Sequence, residues 1–359
     1  VGPTVSALLP VVQLGALDIG DDLGRGAVGT VSRLRQPPVG FTGKLVFKRY
    51  LQGARAQVDE AILRRFIAFP ETLGMADAEL MRERLAWPVA AVYQTAGVVS
   101  GFLMSEIPSH YTLDILGHRA VPAGMEFLLN GPVFERRLGI TVDRRARLCL
   151  LLDLGRLIVR LHELGVVVGD LSPKNVLFSL AGPIRCFLID CDSMGVEGTC
   201  LLPPLETPGW EVPSGENPLT QASDSYKFTL LAMRLFAGDQ NTRDPQALSE
   251  VSPTLGRLAE AATRDHLEAR PRINEWLAPL QAAVEASRPA VDRVLPSPTE
   301  TRRQRAAIAA TAPPPRPKPS HLPGPSGWPS PQREPRARLL LFAGLVIVTL
   351  VLLSFTHTL

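Results

Sequence analysis

Cysteine is scarce in this chain. Its four residues, at 149, 186, 191 and 200, show no CxxC spacing, and the six histidines do not cluster around them. That pattern argues against a zinc framework and points to reduced thiols in a cytoplasmic setting. An excess of charge of one sign is missing as well. Lys and Arg number 38 against 35 Asp and Glu, and part of the net +3 sits near the C-terminus, so no nucleic-acid partner is expected. No charged n-region precedes a cleavable apolar stretch at the start, so no signal peptide is expected. Val1 in place of methionine fits a processed start, a literally translated one or a truncation equally. No internal repeat is present, and an uninterrupted apolar run of membrane length is missing until the last 21 residues.

A chain of 359 residues exceeds one ordinary core, yet its last fifth does not read as globular. Residues 286–338 are rich in Pro, Arg and Ser, with Pro313-Pro-Pro-Arg-Pro-Lys-Pro319 and Pro323-Gly-Pro-Ser-Gly327. Such a stretch cannot bury enough apolar surface to fold, and its prolines favour extended polyproline II, so a disordered linker is expected. Leu339 to Phe355 then runs seventeen residues without a charge. At ~1.5 Å per residue this spans about 25 Å, so the remaining residues to 359 must help cross a ~30 Å hydrocarbon core. Arg333, Arg336 and Arg338 precede the run, and nothing basic comes after it except His357. The positive-inside rule then predicts a single-pass C-terminal anchor over 339–359, with the preceding chain on the cytoplasmic side of the cell membrane.

Asp170 and Asn175 lie five residues apart in Gly169-Asp-Leu-Ser-Pro-Lys-Asn175, and Asp190 comes fifteen residues after Asn175 at the end of an apolar stretch. An acid, an amide and a second acid in that order can orient a hydroxyl proton and supply hard oxygen ligands to Mg²⁺, or Mn²⁺ in its place. Taken alone, this is a turn between two strands with capping aspartates. Earlier, Leu23-Gly-Arg-Gly-Ala-Val-Gly-Thr-Val31 places glycines at 24, 26 and 29, with Val31 two beyond. Glycines let a backbone approach phosphates and adopt positive φ where required. A GxGxxG alone is weak, because a dinucleotide-binding turn shares it. Here no helical pattern succeeds it: Thr30–Leu34, a Pro-Pro-Val-Gly turn at 37–40 and Lys44–Lys48 read as strand, loop, strand. Lys48 ends that strand, where it is either an ordinary solvated strand-end lysine or an ammonium able to reach a bound phosphate from beneath the glycine hairpin.

In order and spacing the chain resembles the protein kinase superfamily over roughly residues 17–285. Gly24, Gly26, Gly29 and Val31 resemble the glycine-rich loop, and Lys48 in Val46-Phe-Lys48 resembles the ATP-positioning lysine. Gly101-Phe-Leu-Met-Ser-Glu-Ile107 resembles the strand entering the hinge, with Met104 near the gatekeeper position. Asp170 resembles the catalytic acid, Asn175 the metal-binding amide and Asp190 the metal acid of the DFG motif. Asp224 resembles the buried anchor of the catalytic loop, and Arg270 the late structural arginine. Ala86-Trp-Pro88, Gly101–Met104 and Ile189-Asp-Cys-Asp-Ser193 resemble atypical bacterial kinases encoded with helix–hairpin–helix segments, although no such segment is present. The resemblance implies an α+β, bilobal kinase-like fold. Its β-rich N-lobe would span about 17–105 and its helical C-lobe about 108–285. It also implies an ATP- and Mg²⁺-dependent protein kinase acting on Ser or Thr, with no particular substrate or oligomeric state indicated.

The departures carry information too. Val168-Gly169 precede Asp170, so the arginine that receives an activation-loop phosphate is absent and phosphate gating is not expected. Cys191 and Asp192 replace Phe-Gly, and Ser172 stands where Ser/Thr kinases commonly carry a lysine. The APE glutamate is Glu211, Glu216 or missing. Glu60, Glu71 and Glu79 compete to pair with Lys48, with Glu60 preferred because Asp59-Glu-Ala-Ile-Leu-Arg-Arg65 fits a helix. A catalytically silent nucleotide-binding scaffold and a small-molecule phosphotransferase stay open as alternatives. Periodicity places one helical stretch near 55–85, a long apolar helix from Asp143 to Gly165, and further helices at 220–237, 246–262 and 273–285. His162 reads as a packing or capping residue.

Overall fold

Alternating apolar and polar positions in the first hundred residues build one six-stranded sheet, and helices dominate residues 131–286. The computed structural model describes residues 10–94, 97–264 and 267–287; the Pro/Arg-rich stretch from 288 and the apolar run at 339–359 lie outside the described residues. The architecture is mixed α+β. Among the described residues no helix is long and apolar enough to cross a membrane.

The sheet comprises β1 (Val11–Gln13), β2 (Ile19–Arg25), β3 (Gly29–Leu34), β4 (Leu45–Tyr50), β5 (Pro88–Tyr93) and β6 (Val99–Ser105), in the order β1-β5-β6-β4-β3-β2. β1 lies ahead of residue 17 and pairs in parallel with β5, Val11 opposite Ala91. Phe47, Leu103, Ala90, Val92, Leu34 and Leu45 fill one face of the sheet as a core cluster. Because side chains alternate along each strand, Val31, Val46, Lys48, Phe102 and Met104 share the opposite face.

The helical stretch near 55–85 divides into α1 (Gln52–Arg55), α2 (Glu60–Ala68) and α3 (Met75–Arg84). Asp59 caps α2, accepting from the amides of Ala61 and Ile62. Leu63, Phe66 and Ile67 of α2 are buried, and Trp87 stacks flat on Phe66 with ring centroids 5.5 Å apart. Past β6 comes a small hairpin that no sequence pattern marked, β7 (Thr112–Ile115) and β8 (His118–Pro122). Its Leu116-Gly117 turn takes positive φ at both residues, as a tight hairpin turn requires, but without the Asn-Gly or Asp-Gly that would advertise it.

The helical part begins with α4 (Gly131–Arg137) and the long α5 (Arg144–Glu163), capped by Asp143 and ended by Gly165 at φ 78°. Then come β9 (Val166–Val167), the hairpin β10 (Val176–Ser179) and β11 (Arg185–Leu188), and the short strands β12 (Gly195–Val196) and β13 (Thr199–Cys200). α6 (Gln221–Ala237) is buried at every position from Ser223 to Leu235. The expected helix at 246–262 is broken into α7 (Gln246–Val251) and α8 (Pro253–Thr263). Proline disfavours the helical conformation at the residue before it, and Ser252 is extended at φ −157°. α9 (Ile273–Ala286) completes the bundle, its Trp276 edge-on to Phe228 of α6. The two parts are joined where Ala86 donates to the carbonyl of Leu188 at 2.9 Å and Arg84 reaches Asp153 and the Cys186 carbonyl.

Candidate active site

Lys48 leaves β4 on the face shared with Val31 and Met104, and only 3 % of it is exposed. A buried ammonium is tolerable only if paired. Its Nζ lies 2.6 Å from Asp192 Oδ1 and 3.1 Å from Asp190 Oδ1. Burial alone would lower its pKa, but the two carboxylates outweigh burial and hold the ammonium protonated above its ordinary range. Tyr50, two residues along the same strand face, is buried against this cluster. Burial and the nearby Asp192 push its phenol well up. The second Asp192 oxygen and the Tyr50 hydroxyl have no hydrogen-bond partner among the described residues.

The preferred partner of Lys48, Glu60, is placed elsewhere. It opens α2 with a side chain 45 % exposed, bonded to Arg64 at 2.9 Å and to the Tyr93 hydroxyl at 2.8 Å. Glu79 pairs with Arg82 on the exposed face of α3, and no ion pair or side-chain hydrogen bond is seen for Glu71 among the described residues. Lysine and carboxylate meet instead through the segment that already carries Asp190. The Asp-x-Asp spacing was the available signal. A glutamate on a helix was the wrong expectation because α2 packs its apolar face on the sheet and turns its first-turn acid toward Arg64 and Tyr93.

Asn175 and Asp190 are adjacent because of a hairpin. β10 and β11 pair antiparallel with Val176 opposite Leu188, and the Ile189 amide donates to the Asn175 carbonyl at 3.0 Å. The fifteen-residue separation thereby closes, leaving the amide and the acid at the same end of the hairpin. Asp190 takes φ 56°, a left-handed backbone uncommon for a residue with a side chain. Asn175 turns its amide nitrogen onto Asp170, 2.9 Å from the carbonyl and 2.8 Å from Oδ2. Its amide oxygen is thus directed away from Asp170, and no bond to that oxygen is seen among the described residues.

The loop carrying Asp170 is held from beneath by α6. The Val168 and Gly169 amides each donate to the fully buried Asp224 carboxylate at 2.8 Å, and His162 Nε2 lies 2.8 Å from the same group. His162 is therefore a positioning group for Asp224. Lys227, one helical turn on, is also fully buried and donates to the Gly169 carbonyl at 2.7 Å. Gly169 takes φ 73°, a conformation open to glycine, and a Cβ there would meet Leu219 at 2.5 Å. Sequence reasoning missed Lys227, although a lysine inside an otherwise apolar helix is a signal of a buried charge with a partner.

Residues 206–216 bond to the loop and to the helical part around it. Thr207 donates to Asp170 twice, backbone amide to Oδ1 at 3.0 Å and hydroxyl to Oδ2 at 2.9 Å. Glu206 pairs with Lys227 at 2.6 Å. Among the glutamates considered for the end of this segment, Glu216 is bound by both terminal nitrogens of Arg270 at 2.9 Å each, and the Arg270 guanidinium stacks 4.9 Å from Tyr226.

In the glycine hairpin, the Gly26 amide donates to the Gly29 carbonyl at 2.8 Å. None of Gly24, Gly26 and Gly29 takes a positive φ. Gly29 is required for a different reason: a Cβ there would lie 2.7 Å from the Arg49 carbonyl of β4. A Cβ at Gly24 would meet open space, and one at Gly26 would only touch the Gly29 carbonyl oxygen at 4.0 Å. Val31 sits opposite Lys48, and Met104 opposite Val46, so both line the lysine-bearing face.

This arrangement offers a fixed cation, an acid whose loop is doubly anchored, and two hard oxygen donors from Asn175 and Asp190. No group of three or more His, Cys, Asp or Glu is disposed to hold a metal among the described residues. The donor set that remains, one carboxylate and one amide oxygen, fits a cation that keeps waters and borrows oxygens from a phosphate, as Mg²⁺ does. All four cysteines are free thiols, and burial pushes those of Cys186 and Cys191 well up. No protein-family model matches the chain, and no curated protein is similar to it.

Proposed function

We propose that this chain is a protein kinase that moves the γ-phosphoryl group of ATP to a Ser or Thr hydroxyl. The observation that carries the reading is the convergence of Lys48, Asp170, Asn175 and Asp190. They come from a sheet, an anchored loop and a hairpin end, in the chain order that the superfamily uses. The mixed α+β architecture, sheet first and helices after, agrees with a bilobal kinase fold. Lys48 binds phosphate oxygens, the open hairpin at Gly24–Gly26 admits them, and Asp170 orients the acceptor hydroxyl and receives its proton. Asn175 and Asp190 would hold Mg²⁺, which supplies charge neutralisation at the phosphates.

The test is radiolabelled phosphoryl transfer by the purified protein with Mg²⁺ and Mn²⁺ compared. Asp170→Asn should lower transfer ~100-fold or more, the scale of general-base assistance, and leave nucleotide binding nearly intact. Undiminished transfer by Asp170→Asn sinks the assignment. One observation favours a second reading, a nucleotide-binding scaffold without turnover: both Asp170 oxygens are engaged by Thr207 and Asn175. ATP binding by a wild-type protein that shows no transfer in any metal would select it. We also propose that residues 339–359 tether this activity to the inner face of the cell membrane. Carbonate-resistant membrane association that is lost on deleting 339–359 supports the tether, and a soluble full-length protein refutes it.

A further inference from the structure

A buried ammonium beneath the Asp170 loop has no part in the proposed phosphoryl transfer. Lys227 lies on α6 with no exposed surface, and its two partners are the Gly169 carbonyl at 2.7 Å and Glu206 Oε1 at 2.6 Å. Gly169 immediately precedes Asp170, and Glu206 immediately precedes Thr207. One cation thus grips the residue before the acid and the residue before the threonine bonded to that acid. Glu206 also accepts from the Val212 amide at 3.0 Å, which folds the segment back on itself. Further along, Arg234 of α6 donates to the Gly209 carbonyl at 2.9 Å and stacks 4.2 Å over Trp210, and Arg270 clamps Glu216. Every cation in this set is satisfied within the protein.

We infer that Lys227 and Glu206 are positioning residues that lock residues 206–216 onto the Asp170 loop, a carboxylate of this chain serving where a covalent phosphate would otherwise be needed. The inference rests on the kinase reading and deepens it. A carboxylate supplies the same charge-assisted acceptor oxygens to a buried ammonium that a phosphate supplies to an arginine. It does so from the moment the chain folds, so the acceptor side of the site is assembled without modification. A phosphate on Thr207 would have the opposite effect. Its Oγ1 lies 2.9 Å from Asp170 Oδ2, and a charge of about −2 there would repel the carboxylate.

The experiment uses the full chain, before and after phosphatase treatment, beside Glu206→Gln. Glutamine keeps the size and hydrogen-bonding reach of Glu206 and removes its charge, and Glu206 is partly exposed, so folding should survive. Transfer to casein is read as separate kcat and KM for ATP and for casein, and hydrogen exchange is monitored over residues 201–216. Phosphatase treatment should change the rate less than twofold. Glu206→Gln should lower kcat/KM for casein tenfold or more with the KM for ATP unchanged, and should speed exchange at 206–212. A tenfold loss on phosphatase treatment overturns the inference, as does wild-type exchange in Glu206→Gln. If the wild-type protein transfers no phosphate, the kinase reading falls. The exchange comparison then decides the lock alone: faster exchange upholds it and unchanged exchange overturns it.

Discussion

Replacing Asp192 by asparagine separates the two carboxylates that neutralise Lys48. Asp192 is 1 % exposed and lies 2.6 Å from the ammonium, whereas Asp190 lies 3.1 Å away with a side chain 48 % exposed. Removing one partner of a buried ion pair costs ~3–5 kcal/mol, because the other charge is left without compensation. Asp190 remains here and recovers part of that, so about 2–3 kcal/mol of unfolding free energy should be lost. With a urea dependence of roughly 1–3 kcal/mol per molar, the midpoint should fall by about 1 M or more. Function should suffer separately. On the proposed kinase reading, Lys48 would turn fully to Asp190, drawing that carboxylate away from a bound metal ion, and the KM for ATP should rise at least tenfold. The matched control is Glu60→Gln. That side chain is bonded to Arg64 and Tyr93 rather than to Lys48, so its KM for ATP should change less than twofold. Steady-state kinetics and urea unfolding on the two variants decide the matter. A tenfold rise in KM for Glu60→Gln beside an unchanged Asp192→Asn would refute the reasoning.

Two further outcomes are expected from buried charges elsewhere. Burial raises the Glu126 carboxyl from 4.5 to about 7, outweighing a hydrogen bond from its own backbone and the nearby Lys174, which both pull it down. The folded chain therefore holds this proton more tightly than the unfolded chain. The contribution of Glu126 to stability is full below pH about 4.5 and declines as pH climbs to about 7. Glu126→Gln should remove that decline, gaining up to about 3 kcal/mol over wild type at pH 8 relative to pH 5; urea midpoints at the two pH values that track wild type would exclude it. Arg270→Ala strips Glu216 of its bidentate partner inside the helical part and should cost about 3 kcal/mol of stability, read as a lower unfolding midpoint. A change under about 0.5 kcal/mol, the scale of an ordinary surface substitution, would show that Glu216 finds water or another cation instead.

What the sequence determined by itself is what local chemistry fixes. The strands flanking the glycine hairpin, the long helix opened by Asp143 and the hairpin that carries Asn175 and Asp190 arise from alternation, capping residues and breakers. Lys48, Asp170, Asn175 and Asp190 stood out by their order and spacing along such elements, whereas Asp224 was legible only through the resemblance to the protein kinase superfamily. What only the tertiary structure decided is which charges meet. Glu60 and Asp192 are both acids that a chain of this length can bring to Lys48, and no periodicity distinguishes them. Asp192 pairs with Lys48 because the antiparallel register of β10 and β11 delivers residues 190–192 under β4, while α2 packs its apolar stripe on the sheet and leaves Glu60 facing Arg64. The same holds for Lys227, Glu206 and the choice of Glu216 over Glu211. An ion pair between elements far apart in the chain has no local signature. Its partner is set by packing, where a buried charge must find the nearest opposite charge or remain unpaired at a cost of several kcal/mol.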